Sequence, residues 1–297
     1  MSLYITIAIS AYLLFAFNGI ADKFLLTKAV KHPVTYAFYS SAGSVLILAL
    51  APFFLEAISW STFYIAIVAG ACFSFALYFL YDATQDTSIS RILPIEGGLV
   101  PVFTLVLSYL LLAERLNNTQ LSAFFFLVMG AIMISFRHER DGWHITALKN
   151  ATIAAVLFAL SFVLTKYVYL ETSFLSGLVW TRMGLVVGAL SFLLIKQFRK
   201  VIFAAPEKTS GQNKLIFYGA RVSGGLGGFL QNYAISLGSV TIVNALQGTQ
   251  FVFLLIMTSI LSIYFPQIIK EKISRLILLI KIVAMLLITF GLTVLTV

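Results

Sequence analysis

The stretch LFALSFVLTKYVY, residues 157–169, restates an earlier phrase of the chain, LFAFNGIADKFLL, residues 14–26. The two phrases share the leucine, phenylalanine and alanine with which each opens, and they align Lys23 with Lys166. Most of the remaining pairs exchange one apolar residue for another. An apolar phrase written twice in a chain of 297 residues indicates an internal duplication.

The composition places this duplication in a lipid bilayer. The chain is 60% hydrophobic and 10% charged, with a mean hydropathy of +1.00, which exceeds what a water-soluble domain can hide in a core. A helix needs about 20 apolar residues to cross a bilayer. The sequence contains ten such runs, approximately 3–21, 33–55, 59–81, 88–112, 120–136, 147–169, 173–195, 214–237, 240–265 and 275–296.

The duplication extends along the whole chain. Further aligned pairs are Gly43 with Gly184, Ala83 with Ala234, Ser88 with Ser239, Gly97 with Gly248, and Ser108 with Ser259. We therefore predict two repeats of five spans each, residues 1–145 and 146–297. Because five is odd, the second repeat must lie inverted relative to the first, as in many secondary transporters. The predicted fold is an all-α membrane protein of ten transmembrane helices in two inverted five-helix repeats.

Loop charges predict an orientation and exclude several functions. Lys and Arg concentrate after spans 1, 5, 7 and 9, which predicts that both chain ends face outward. The net charge of +9 is then explained by these loops and by anionic lipid headgroups rather than by nucleic acid. The first run has the flanks of a retained helix rather than of a cleaved signal peptide. A single cysteine, Cys72, allows no intrachain disulfide, and the three histidines lack metal-ligand spacing, so no metal or cofactor is predicted.

The fourth span carries the clearest motif of the chain. The segment PIEGGLVPVFTLVLSYLLLAERL, residues 94–116, resembles the ten-span EamA-type transporters of the drug/metabolite transporter superfamily. Arg182, in VWTRMG, looks like the arginine common in the second span of each family half. Two departures are Ser41, which stands where that arginine would map in the first half, and the absence of a second-half acidic match to Glu114. The resemblance implies export or exchange of small metabolites such as amino acids, nucleosides or lipophilic cations, often with proton coupling.

Glu96 is the strongest candidate for chemistry. A charge in mid-membrane costs about 2.5–3.5 kcal/mol, and Glu96 lies roughly 12 Å into its span. The helix-weakening residues Pro94, Gly97, Gly98 and Pro101 surround it, which predicts a helix break or hinge at a binding site. The alternative is a structural glutamate beside a proline kink.

Arg221, at roughly 9 Å depth from the same side, is the predicted partner of Glu96. A substrate that draws the arginine away would let the carboxylate gain and lose a proton. Gln247 aligns with Glu96 in the second half. Nearby amides complete the predicted site: Asn244, Gln250, Gln231 and Asn232.

Arg182 lies about eight residues into the seventh span, so fixed positive charge exceeds negative charge in the predicted cavity. This balance favours anionic or zwitterionic ligands. Lys23 and Lys166 either line the cavity or extend to the headgroups, and Trp180 either stacks on a ligand or lies against lipid. Gly224 and Gly228 have the spacing of close helix packing, with a hinge as the alternative.

The leading interpretation is a secondary transporter, an exporter or exchanger that works by alternating access in a prokaryotic plasma membrane. Its predicted cargo is an amino-acid-like or carboxylated metabolite, with proton coupling as an option. The alternatives are an exporter of lipophilic cations or drugs, a membrane-embedded enzyme suggested by DATQD at residues 82–86, and a passive channel. No ATP-binding motif is present, so the energy must come from gradients.

Overall fold

The computed structural model describes residues 2–28, 32–84, 89–135, 145–208, 211–264 and 275–296, and every regular element within these ranges is helical. The first half contains α1 (Leu3–Lys28), α2 (Pro33–Ala42), α3 (Ala51–Phe54), α4 (Trp60–Ala83), α5 (Ile89–Leu112) and α6 (Asn118–Ser135). The second half contains α7 (Ile145–Glu171), α8 (Phe174–Ser191), α9 (Lys196–Lys208), α10 (Gly211–Leu237), α11 (Val240–Ala245), α12 (Gly248–Tyr264) and α13 (Arg275–Thr296). A 3₁₀ segment, Gly43–Leu50, joins α2 to α3, and a shorter one, Phe192–Leu194, follows α8.

The helices have the length and composition of membrane spans. Among the described residues, seven stretches are long and apolar enough to cross a bilayer, and two further apolar helices are shorter, Asn118–Ile134 and Leu279–Leu295. The chain is therefore an integral, multi-pass, all-helical membrane protein. The count of ten spans and their division into two inverted repeats stay predictions. Several basic residues on which the orientation depends, including Lys31, Arg137 and Lys270, lie outside the described residues.

Glycines allow α4 and α8 to pack with their backbones in contact. A methyl group at Gly70 of α4 would overlap the backbone of Thr181 and Leu185 in α8. In the other direction, Gly184 lies against the backbone of α4 at Ala66 and Ile67. Small residues four apart are the usual means by which membrane helices approach this closely. The glycine pair at 184 and 188 of α8 has this spacing and lies at the interface with α4. This contact was not among the predictions from the sequence.

The α10 helix has a different environment. It packs along α1, where Gly224 lies close to Asn18 and Gly227 lies close to Phe15. Its contacts with α7 and α8 are few by comparison. The two sets of helices, α1 with α10 and α4 with α8, therefore contact each other little through α10.

The loop before α4 holds the start of α8. Ser173, the N-cap residue of α8, makes no capping bond with its own side chain; its hydroxyl binds the Glu56 carboxylate instead. Glu56 accepts hydrogen bonds from the Ser173 hydroxyl at 2.7 Å and from the Thr172 hydroxyl at 2.8 Å. Trp180 donates its indole N–H to the Glu56 carbonyl at 3.1 Å, and its ring packs edge-on against Phe63. These contacts give Trp180 an anchoring role at this junction.

Substitution at Gly70 tests the α4–α8 contact. We expect Gly70→Ala to lower the free energy of unfolding by about 1–3 kcal/mol, the usual cost of overpacking, because neighbouring backbone atoms cannot move aside. Gly219→Ala is the matched control, since nothing lies within 4 Å of a methyl group there. Thermal unfolding in detergent measures both variants. Equal melting temperatures for the two would show that α4 and α8 are not in close contact.

Glu56 gives the α8 junction a dependence on pH. Hydrogen bonds from the Ser173 and Thr172 side chains hold the pKa of Glu56 below its ordinary value of 4.5. A carboxylate with a lowered pKa stabilises the fold above that ordinary value and loses its effect as the pH falls through the pKa of the folded state. We therefore expect Glu56→Gln to lower the melting temperature at pH 7 and to differ less from the parent protein as the pH falls below 4.5. A difference that grows on acidification would contradict this role.

Candidate functional site

A buried polar network joins α1, α10 and α11. Tyr12 donates its hydroxyl proton to the Val243 carbonyl at 2.8 Å and accepts a hydrogen bond from the Gln231 amide at 3.2 Å. The same amide lies 3.5 Å from the Asn244 side-chain oxygen. Tyr12, Gln231 and Asn244 are all buried. Three of the four residues come from the second half and Tyr12 from the first, so the network ties the halves together.

Hydroxyl and amide groups continue the network between α5 and α11. Asn244 donates to the Thr104 hydroxyl at 3.2 Å, and the hydroxyls of Ser108 and Thr241 lie 2.8 Å apart. Nearer the end of α5, the Ser239 hydroxyl donates to the Glu114 carboxylate. These contacts form a ladder of side-chain hydrogen bonds along most of α11. Glu114, just beyond the end of α5, thereby binds the N-cap residue of α11.

Glu96 faces this network from α5. The side chain of Gln247 lies near enough to Glu96 to act on its carboxyl group, and the charge of Glu96 acts on the Tyr12 hydroxyl. Glu96 and Gln247 are the residues that the internal alignment pairs between the two halves. The structure brings them near each other, and with Tyr12 they form the centre of the candidate site.

Arg221 binds elsewhere, so its predicted pairing with Glu96 is wrong in this structure. Its guanidinium donates to the Ser40 hydroxyl at 2.9 Å, to the Asn18 side-chain oxygen at 3.1 Å and to the Tyr36 hydroxyl at 3.1 Å. The cation also lies 5.1 Å from the centre of the Tyr36 ring. Depth counting placed Arg221 and Glu96 on one level, but it could not predict which face of α10 the arginine occupies. Arg221 therefore joins α10 to α1 and α2.

The helix break predicted around Glu96 occurs in the second half instead. Pro94, Gly97, Gly98 and Pro101 all lie within α5, which runs from Ile89 to Leu112 as one helix. The second half is interrupted at residues 246–247, between α11 and α12. Gln247, rather than Glu96, lies at a broken backbone.

The glycines of α5 have a packing role. A methyl group at Gly97 would meet the ring of Phe251 in α12, and one at Gly98 would meet Ile132 in α6 at 2.6 Å. The glycines of α10 divide their roles, because Gly224 faces α1 while Gly228 faces Arg182 of α8. Both lie inside the continuous α10 helix, so the spacing of 224 and 228 does not mark one packing face.

Lys166 contacts the end of a helix rather than the polar network. Its ammonium group donates to the carbonyls of Ile235 and Gly238, both at 2.8 Å, and of Ser236 at 3.2 Å. A cation at the last carbonyls of a helix is favourable, so Lys166 caps α10. The side chains of Lys23 and Pro94 lie outside the described part of the structure.

Two further amides are placed as follows. Asn232 is buried, accepts a hydrogen bond from the Tyr169 hydroxyl at 2.9 Å and donates to the Gly228 carbonyl at 2.7 Å. Gln250 is half-buried in the first turn of α12. Arg182 lies on α8 within the electrostatic reach of Tyr169.

Sequence reasoning missed the tyrosines of the site. Tyr12, Tyr36 and Tyr169 each donate or accept through a hydroxyl deep among the helices, yet tyrosine counts as apolar in a hydropathy run. Asn18 was also passed over, although it belongs to the repeated phrase at residues 14–26. A polar residue inside an apolar run is the signal that would have identified it.

The chain is similar to known proteins in fold rather than in overall sequence. No curated protein matches the chain significantly in sequence. The fold has solved counterparts, with 28 matching chains. One is described only as the crystal structure of a protein; it has a TM-score of 0.72 and 16% identity, and the match covers 99% of this chain and 96% of that one. A likeness at this identity concerns the fold alone.

A match to a protein family lies in the first half of the chain. Residues 2–136 match the model of the EamA-like transporter family. This range contains α1 to α6 and includes Glu96, Tyr12 and the segment at residues 94–116 from which the resemblance was drawn. The resemblance drawn from the sequence is thereby confirmed over residues 2–136, which are similar to the EamA-like transporter family.

Proposed function

We propose that the protein is a secondary transporter that exports or exchanges small amino-acid-like or carboxylated metabolites across a prokaryotic plasma membrane. Its two halves, residues 1–145 and 146–297, would form inverted five-span repeats that alternate between two open states. The proximity of Glu96 to Gln247, at the break between α11 and α12, is the observation that supports this proposal. In the proposed transporter an ionisable group of one half lies beside a broken helix of the other, where relative movement of the halves changes its surroundings.

The partners of Glu96 suit a group that changes its protonation state. The Gln247 amide can donate to a carboxylate, and the oxygen of the same amide can accept from a carboxylic acid. Glu96 therefore keeps a hydrogen bond in either form. A cationic partner would stabilise one form only, and within the described residues Glu96 has no ion pair with Arg221. Proton coupling in this proposal depends on exchange between Glu96 and water, rather than on displacement of an arginine.

Arg221 has a different part in alternating access. It joins α10 to α2 through its bond to Ser40, at one end of the space that we propose between the two helix sets. At the other end of that space, the ring of Phe174 from α8 packs against Phe229 and Tyr233 of α10. One of these two connections must open for α10 to move away from its neighbours. They are therefore the proposed gates at the two ends of the space.

Fewer contacts in the structure support the alternative functions. Asp82 of the DATQD segment accepts a hydrogen bond from Asn150 at 2.7 Å, and Asp86 lies outside the described residues. A lipophilic cation remains the alternative cargo, since Glu96 and the Tyr12 ring offer a carboxylate beside an aromatic face. The transport experiment below separates this cargo from a carboxylated one.

Transport in proteoliposomes under an imposed pH gradient tests the function and the role of Glu96. The substrates are labelled amino acids, nucleosides, organic acids and tetraphenylphosphonium, and the variants are Glu96→Gln and, as control, Glu171→Gln at an exposed carboxylate. We expect uphill uptake of a zwitterion or anion in the parent and the control. In Glu96→Gln we expect pH-driven uptake to fall at least about tenfold while exchange without a gradient persists. The amide can still bind Gln247, but it can neither take up nor release a proton during transport.

Other outcomes point to other functions. Equal pH-driven uptake by Glu96→Gln and its parent would remove Glu96 from coupling. Uptake restricted to tetraphenylphosphonium would favour the lipophilic-cation exporter. Flux that ignores opposing gradients would indicate a channel, and no flux of any compound would contradict transport.

A further inference from the structure

Arg182 lies deep in its helix and points away from lipid. It follows the start of α8 by eight residues, hence by about 12 Å. The exposed residues Val187 and Leu190 mark the outer face of α8, and Thr181 and Gly184 mark the face against α4. Arg182 occupies neither face. A methyl group at Gly228 of α10 would lie 3.8 Å from its terminal nitrogen, so the guanidinium faces the space between α8 and α10.

No charged group of the described residues is paired with Arg182. Its Nε is buried and has no hydrogen-bond partner among them. The titratable group that acts on it is the phenol of Tyr169, which is neutral in its ordinary state. An unpaired charge at this depth is unfavourable by several kcal/mol, so a ligand that carries negative charge would be favoured beside it.

The neighbouring acceptors are already engaged. The Asn232 side-chain oxygen accepts from Tyr169, and the Gly228 carbonyl accepts from the Asn232 amide. These bonds hold Tyr169, Asn232 and α10 in a fixed arrangement beside the arginine. The Nε of Arg182 has no hydrogen-bond partner among the described residues, and the Nε edge of a guanidinium is one that forms paired hydrogen bonds with a carboxylate.

The side of α10 that faces Arg182 carries no side chain at Gly228. A methyl group at this position would have the terminal nitrogen of Arg182, at 3.8 Å, as its nearest neighbour. We call the position beside Gly228, between α8 and α10, the slot next to the arginine.

We propose that Arg182 binds the carboxylate of the transported compound in this slot, with Gly228 as the wall that limits the size of the chain attached to the carboxylate. This proposal rests on the transport function inferred above and assigns the part of the cargo that the protein recognises. A planar guanidinium binds a carboxylate through two parallel hydrogen bonds, so it distinguishes an acid from its amide. Glu96, which lies on α5, is then available for the proton rather than for the anion.

The thermal stability of the ligand-free protein distinguishes a binding role of Arg182 from a structural one. Removal of an unmatched buried charge leaves the empty protein equally stable or more stable, whereas removal of a structural arginine destabilises it. We expect Arg182→Gln to keep or raise the melting temperature of the ligand-free protein. Arg199→Gln, at an exposed position on α9, is the control for loss of one positive charge.

Binding is measured by thermal unfolding of the purified protein in detergent with acetate, 4-methylpentanoate and the uncharged 4-methylpentanamide. We expect both carboxylates to raise the melting temperature of the parent and of Arg199→Gln, and the amide to have no effect. In Arg182→Gln we expect the carboxylate affinity to fall at least about tenfold, the usual effect of losing charged hydrogen bonds. In Gly228→Ala we expect weaker binding of 4-methylpentanoate than of acetate.

Each result has one meaning for the proposal. Equal carboxylate stabilisation of Arg182→Gln and its parent, stabilisation by the amide, or no stabilisation of the parent by either carboxylate would overturn the site. A destabilised Arg182→Gln would show a structural role and overturn it as well. Carboxylate binding that depends on Arg182, without gradient-driven flux in proteoliposomes, would keep the site and contradict transport. Flux of a substrate that is unchanged in Arg182→Gln would keep transport and remove the site.

Discussion

The absence of water inside a bilayer is the constraint on which this structure depends. A polar group in that environment must find its partner within the protein, and the described contacts show how far this is achieved. Tyr12, Gln231 and Asn244 satisfy one another at the meeting of α1, α10 and α11. Lys166 satisfies the final carbonyls of α10. Against this background Arg182 differs from Arg221: each has a buried Nε without a hydrogen-bond partner among the described residues, but the other nitrogens of Arg221 bind Ser40, Asn18 and Tyr36.

The sequence predicted the membrane environment and identified Gln247 as the second-half counterpart of Glu96, because both follow from properties that are local in the chain. Hydropathy reports the spans, and an internal repeat aligns Glu96 with Gln247. The partner of Arg221 could not be obtained in this way. It depends on the rotation of α10 about its axis, which is set by glycine contacts with α1, and depth along a span carries no information on rotation.

The position of the helix break shows a second limit of local reasoning. Proline and glycine weaken a helix in isolation, and α5 contains both around Glu96. Yet α5 is continuous, since Gly97 and Gly98 fit against Phe251 and Ile132 and the helix is supported on these sides. The break occurs at residues 246–247, where the sequence has no proline. Tertiary packing, rather than intrinsic preference, decided which of the two halves keeps a regular backbone.

The 3₁₀ segment at Gly43–Leu50 changes the length of its span as well as its winding. A 3₁₀ helix rises about 2.0 Å per residue and an α-helix about 1.5 Å, so these 8 residues extend about 4 Å further than the same residues in an α-helix. The apolar stretch from Pro33 to Phe54 therefore suits a thicker hydrocarbon layer than its residue count indicates. Hydrophobic matching to the bilayer is thus set in this span partly by backbone winding, and the loop that carries Glu56 lies correspondingly farther from the membrane centre.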